Sequence, residues 1–358
     1  MRLPRPHVPR SALGRTALSL PLFALVVGLL WWRGPSLTAV GDAFAAVEWR
    51  WVVAAIALNL LSVVVRALAW RTVINQAMPE PHPTVPLVFS AFSVGLFANA
   101  VLPGRIGELA RVAVLTRKLP RRQGLWATLV GTVFAHRVFD LVPVLLLILY
   151  VVATARIPAW AITSLLVFVG IGAALFAFAF VSARSHDTTR LDGLSAARRL
   201  VTMARHGLGV LRTPLGLALA VLFQISGWVC QILAVYTAMR AFDIHAPLPA
   251  AGLVLLLMNV ATIFPLWPGN VGLVQVAIAA PLAASYGVQY AHGVAFGFGL
   301  QAIEASVGIG VGLLFLAREG LSLAMLKVMP SAAQAEVGAG DEERPEAGVK
   351  SRRTRVPS

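Results

Sequence analysis

Three stretches place ionisable side chains inside or beside apolar runs. The first is residues 99–111, where Pro103 and Gly104 break a hydrophobic run and are followed at once by Arg105, Gly107, Glu108 and Arg111. Glycines at 104 and 107 permit a tight turn, and a helix restarting near Ile106 would aim unpaired backbone N–H groups at its tip, where an anion can bind. Arg105 and Arg111 would add guanidinium forks suited to a phosphate, so the stretch suits a phospholipid headgroup. The plainer reading has Glu108 complementing the helix dipole and the arginines in solvent, and it is preferred for Arg117, Lys118, Arg121 and Arg122.

The second stretch is His136, Arg137 and Asp140, within about one helical turn inside another apolar run. Ionisable groups there are costly and face a protein interior or a wet cavity. Arg137 is expected to pair with Glu108 or Asp140, either as part of a polar path or as an ion pair locking two helices. The third is Glu304, near the middle of a late apolar run with no basic neighbour on its own helix, and a candidate for ion coupling. Arg66 is expected to snorkel to the headgroups, while Asn59, Gln224, Gln231 and Gln301 either line a polar path or bridge helices.

These groups must be positioned by membrane helices. With 58% apolar and only 13% charged residues in 358, the chain cannot cover a soluble fold. A net charge of +15 reads as basic cytoplasmic loops, without nucleic acid as a partner. The single cysteine, Cys230, excludes an intrachain disulfide and a multi-cysteine metal site. No cofactor and no metal are expected.

Eight apolar segments stand out, at residues 17–32, 51–70, 85–102, 125–152, 159–181, 215–239, 248–267 and 292–317, and a ninth at 271–284 is too short to span. Arginines at 2, 5, 10 and 15 place the amino terminus inside. Eight simple crossings would then strand two basic stretches, 105–122 and 183–213, on the outer face, against the positive-inside bias. Folding 85–116 back at Pro103-Gly104 as a re-entrant hairpin cures this. A degenerate copy of that break, Pro268, Gly269, Asn270 and Gly272, lies 165 residues later, and the same count makes 248–284 a second hairpin entering from the opposite face. The expectation is an all-α polytopic protein with six spanning helices and two re-entrant hairpins in an inverted repeat, halves at about 51–152 and 215–317. Residues 1–16 form a basic cytoplasmic terminus, 17–320 the membrane domain, 183–213 a basic cytoplasmic linker, and 321–358 a cytoplasmic tail, disordered from about 331. Its late basic residues could touch anionic headgroups.

Pro103, Arg105, Gly107, Glu108 and Arg111, then His136, Arg137 and Asp140, then Pro268, Gly269, Asn270 and Gly272, resemble the lysylphosphatidylglycerol synthase transmembrane-region family of flippase-like membrane proteins. The resemblance runs over roughly residues 17–317 and implies translocation of a lipid or lipid-linked molecule across the cytoplasmic membrane of a bacterium or archaeon. His136-Arg137 stands where the family often has Glu-Arg, and Gln301, Ala302 and Glu304 occupy the region where an arginine is usual. The soluble aminoacyl-transferase domain of the full-length synthases is not expected here, nor is synthesis of lysylphosphatidylglycerol.

The functional expectation is movement of an anionic phospholipid or lipid-linked glycan between leaflets. The alternatives are a membrane-embedded enzyme acting on a lipid phosphate, and an accessory subunit working with envelope-synthesis enzymes. No GxxxxGK[ST] motif occurs, so ATP hydrolysis is not expected.

Overall fold

The computed structural model describes residues 36–78, 80–101, 106–120, 125–158, 162–163, 170, 214–263 and 268–318. The expected span 17–32, nearly all of 159–181, the linker 183–213 and the tail lie outside them, as do Pro103, Gly104 and Arg105. Every regular element among the described residues is helical: α1 Leu37–Ala45, α2 Trp49–Ala77, α3 Val85–Val101, α4 Gly107–Lys118, α5 Leu125–Thr154, α6 Pro214–Ala241, α7 Leu248–Ala261, α8 Leu273–Tyr286, α9 Tyr290–Ala305 and α10 Gly312–Arg318. A π-helical turn, Ser306–Val311, joins α9 to α10 and starts two residues after Glu304.

Length sorts these helices into two classes. Trp49–Ala77, Leu125–Thr154, Pro214–Ala241 and the continuous Tyr290–Arg318 rod have 28 to 30 residues and are apolar enough to cross a membrane. At 1.5 Å per residue each exceeds a hydrocarbon core of about 30 Å. They coincide with four of the six spans expected from hydropathy, and the chain is a polytopic membrane protein. The remaining apolar helices, α3, α7 and α8, have 14 to 17 residues, and α4 has 12. Each is too short to cross alone, and they occur as consecutive pairs, α3 with α4 and α7 with α8, on either side of the Pro-Gly breaks.

Close backbone approach fixes the arms of the first pair. A Cβ on Gly107 would collide with the Gly95 carbonyl oxygen, so α4 meets α3 where neither helix carries a side chain. The Gly107 N–H, unpaired at the start of α4, donates to Asn99 Oδ1 at 2.9 Å. In the second pair the Gly272 N–H donates to Gln275 Oε1 at 2.6 Å. Gly269 and Gly272 there have φ of 68° and 91°, conformations open to glycine and strained for other residues.

The two long helices α2 and α6 run antiparallel. The Glu48 N–H donates to the Ala241 carbonyl at 3.0 Å, and Ser62 Oγ, fourteen residues further along α2, donates to the carbonyl of Gly227, fourteen residues back along α6, at 2.9 Å. Gly227 permits this contact, since a Cβ there would stand 2.6 Å from Arg66 Cγ. One buried cluster gathers Val63, Ala67, Trp70 and Ile74 of α2 with α3, α4 and the start of α5, a second gathers Val52 and Ala55 with α6, α7, α8 and α9, and a small third joins Val73 to Ala135, Phe139 and Ala220. Helix α2 therefore belongs to both cores.

Candidate functional site

The ionisable residues singled out in α4 and α5 converge, and α2 and α6 complete their surroundings. Asp140, 7% exposed, is the hub. Its carboxylate accepts from Arg66 Nη2 at 3.2 and 3.3 Å, from Arg137 Nη1 at 3.2 Å, from Gln224 Nε2 at 2.9 Å and from Trp228 Nε1 at 3.1 Å. These donors occupy the acceptor capacity of one carboxylate. Arg137, one turn of backbone away, bridges from Asp140 to Glu108, and Glu108 also pairs with Arg111. The first turn of α4 is thus tied to α5, and α5 is tied to α2 and α6.

Burial assigns different parts to the three arginines. Arg111 is 4% exposed, with its guanidinium 4.6 Å from the Trp70 ring centre and 5.3 Å from that of Phe92. A guanidinium is weakly hydrated and stacks on aromatic faces, which lets it be buried where an ammonium would not be. Trp70 is itself held, its Nε1 donating to Thr132 Oγ1 at 3.1 Å. In this arrangement Arg111 anchors Glu108 from inside and is not displayed for a headgroup. Arg137, by contrast, has a half-exposed side chain, and Glu108 is 25% exposed. Three guanidinium groups here face two carboxylates.

Arg66 departs from its expected part. Rather than reaching for headgroups, it pairs with Asp140, donates from Nη1 to Gln231 Oε1 at 3.4 Å and lies 5.9 Å from the Trp228 ring. Its importance was not legible because its partners come from α5 and α6, 74 and 165 residues away. The presence of Gln224 and Gln231 in an apolar span was the available signal. His136 is 1% exposed and packs edge-on against Phe92, with Gln224 Nε2 donating to its carbonyl at 3.2 Å.

Among the described residues the second break is held by amide side chains. Gln301 Nε2 donates to the Gly269 carbonyl at 2.6 Å, Gln275 Nε2 donates to Gln301 Oε1 at 2.5 Å, and Asn270 Nδ2 donates to the Ala261 carbonyl at 2.7 Å. Glu304 sits one turn beyond Gln301 on the same helix, and the structure does not bring it to the Asp140 network. Among the described residues no three His, Cys, Asp or Glu side chains gather as metal ligands would.

A short helix carrying Gly107-Glu108 and Arg111, paired with Arg137 and Asp140 in the following span, can be compared with known sequences. The family described as the lysylphosphatidylglycerol synthase TM region matches residues 16–323. The chain belongs to that family. It is also 28% identical over 120 residues to the UPF0104 membrane protein PH1989 of Pyrococcus horikoshii, a stretch covering 34% of this chain and 35% of the relative. The chain thus aligns with about a third of that relative's length. No solved structure matches it. The match to the family takes in both breaks, the ionic network and Glu304.

Proposed function

We propose that this protein moves an anionic phospholipid or lipid-linked glycan between the leaflets of the cytoplasmic membrane, with both termini cytoplasmic. The observation that carries the reading is the ionic tie between a broken, non-spanning helix pair and three spanning helices: Glu108 and Arg111 on α4, Arg137 and Asp140 on α5, Arg66 on α2 and Gln224 on α6. Irregular backbone and unbalanced charge at membrane depth are tolerated where they border a cavity, and half-helix ends there are suited to polar substrate groups. Membership of a family named for a lipid synthase's membrane region fits a lipid substrate.

Each helix pair then enters and leaves on one face as a re-entrant hairpin, and the halves form an inverted repeat. Two observations support this. The arms are too short to span. Gly107 and Gly272, 165 residues apart, both have N–H groups capped by a side-chain amide oxygen. In this reading Arg137, half exposed, receives the headgroup phosphate with Arg105, Arg111 anchors Glu108, and Asp140 holds the hairpin to the bundle. Glu304 lies on the path through the second half and is the candidate for ion coupling.

The test is translocation of fluorescent phosphatidylglycerol and of a polyprenyl-phosphate sugar by the purified protein in vesicles. Arg137→Gln and Glu108→Gln are expected to slow the transported lipid at least tenfold while the protein stays folded. Undiminished translocation in both variants would sink the residue assignments. Turnover of a lipid phosphate in detergent, where there are no leaflets, would instead establish an enzyme.

A further inference from the structure

Away from the ionic network, polar side chains gather at the end of the bundle where α2 begins and α6 ends, joined by the bond from the Glu48 N–H to the Ala241 carbonyl. A cavity of about 340 Å³ there has Glu48, Arg50 and Trp51 on the α2 side and Tyr236, Arg240 and Asp243 on the α6 side. A second, of about 310 Å³, adjoins it across Asp243 and His245 and continues to Tyr286 at the end of α8 and His292 in α9. Each has the volume of a small-molecule site. In the transport reading this end of the bundle faces outward.

We propose that this groove binds the sugar of a lipid-linked glycan, with hydroxyl groups held by Glu48, Arg240 and Asp243; this rests on the transport reading and narrows its substrate. The polar groups of the lining are paired with one another. Arg50 Nε donates to Glu48 Oε2 at 2.7 Å, Arg240 Nη2 donates to the Tyr236 hydroxyl at 2.7 Å, and His245 Nδ1 lies 3.4 Å from Asp243 Oδ1. A bare phosphate in the groove would meet two carboxylates, and a zwitterionic headgroup would have to part the pairs. Hydroxyl groups both donate and accept, and a carboxylate has room for more than one donor, so a sugar can bond to these side chains without separating them. The aromatic rings of the lining supply apolar surface for its C–H groups. Trp49, 73% exposed, has the ordinary place of an aromatic at the headgroup level, whereas Trp51 lines the cavity.

Asp243 shows the groove taking precedence over the turn that builds it. It is the left-handed residue that ends α6, with φ of 54°, its N–H donating to the Arg240 carbonyl at 3.1 Å and the Ile244 N–H donating to the Met239 carbonyl at 2.9 Å. Glycine is the usual residue at that position. Helix α8 ends on one, Gly287, at φ of 67°. An aspartate at the end of α6 instead keeps a carboxylate, 69% exposed, where the two cavities meet.

The experiment measures equilibrium binding of polyprenyl-phosphate glucose, mannose and N-acetylglucosamine to the full chain in nanodiscs, with no transport read. Polyprenyl phosphate without a sugar, phosphatidylglycerol, phosphatidylethanolamine and the free methyl glycosides serve as competitors. At least one sugar lipid is expected to bind at least tenfold tighter than the sugarless lipid and both phospholipids. Asp243→Gly, which suits the left-handed turn, is expected to weaken that binding at least tenfold with no fall in thermal midpoint, and Glu48→Gln to weaken it at least threefold. Sugar lipids that bind no tighter than polyprenyl phosphate, or binding unmoved by both variants, overturn the groove. Free methyl glycosides that compete equally well at the same concentration overturn the lipid-linked source in favour of a soluble sugar. Phosphatidylethanolamine that binds tightest and is lost in Asp243→Gly overturns the sugar. A sugar lipid held in the groove and not translocated leaves this inference standing and defeats the transport reading, whereas translocation of phosphatidylglycerol with no sugar lipid bound does the reverse.

Discussion

The two breaks of the chain, around Gly107 and around Gly272, solve one problem with different chemistry. At each, a short helix begins inside the protein with an unpaired glycine N–H, and at each a side-chain amide oxygen accepts from it, Asn99 at the first and Gln275 at the second. Beyond that cap they diverge. The first arm is tied to α5 through Glu108, Arg111 and Arg137, and onward to Arg66 through Asp140. Among the described residues the second is tied to α9 by the amides of Gln275 and Gln301. Amides satisfy one another in isolation, whereas a buried charge must keep its partner or leave an uncompensated ion. The first break is thus the one whose position depends on every member of a network, and the second is the more self-contained.

Asp140→Ala tests that contrast most severely. It leaves Trp228 without its acceptor, takes the carboxylate from Arg66 and Gln224, which keep only Gln231 and the His136 carbonyl, and half-frees Arg137, and removing one partner of a buried ion pair costs about 3 to 5 kcal/mol. The expected outcome is a large drop in thermal midpoint, followed by fluorescence-detected size exclusion in detergent. Next come the glycines, each failing for its own reason. Gly107→Ala collides with the Gly95 carbonyl and is expected to cost about 1 to 3 kcal/mol, with Gly107→Asn worse because it is larger. Gly272→Ala meets φ of 91° and costs a similar amount, about 1 to 3 kcal/mol. At Gly269, φ of 68° with ψ of 0° is a turn conformation that Asn accepts, and there Asn should be milder than Ala. Equal responses of Gly107 and Gly269 to Asn, measured in the same melts, would remove the distinction.

Gln301→Leu strips the Gly269 carbonyl of its donor, a loss of about 1 to 3 kcal/mol. Hydrogen exchange should speed up around residues 269–272 and stay unchanged around Gly107. Spread of the effect to the first break would show that the two are coupled more tightly than their bonds suggest. Trp70→Phe is the mildest change. It keeps a ring beneath Arg111 and loses the bond to Thr132, for about 0.5 to 1.5 kcal/mol in the same assay.

Much of this was legible before any coordinates. Runs of apolar residues long enough for a bilayer marked α2, α5, α6 and the α9–α10 rod, because span length follows from membrane thickness and helical rise alone. Pro-Gly pairs marked the breaks, because proline lacks the N–H and glycine reaches positive φ. Pairing of Arg137 with Glu108 or Asp140 followed from helical spacing on one side and the rarity of charge in a span on the other, and the structure makes both pairs. The burial of Arg111 did not follow, since it depends on Trp70 and Phe92 arriving from α2 and α3.

The sequence by itself determined the class of protein, the four long spans described, the location of both breaks and the family, because hydropathy, proline and glycine act locally and need no partner. Only the tertiary structure decided that Arg66 leaves the headgroups for Asp140, that Arg111 turns inward, and that α2 meets α6 in the register placing Ser62 on Gly227. Those outcomes depend on which helix faces which. In an apolar environment that choice is made by close packing at small residues such as Gly227 and by the need of each buried polar group for a partner. Neither condition can be evaluated along a single helix.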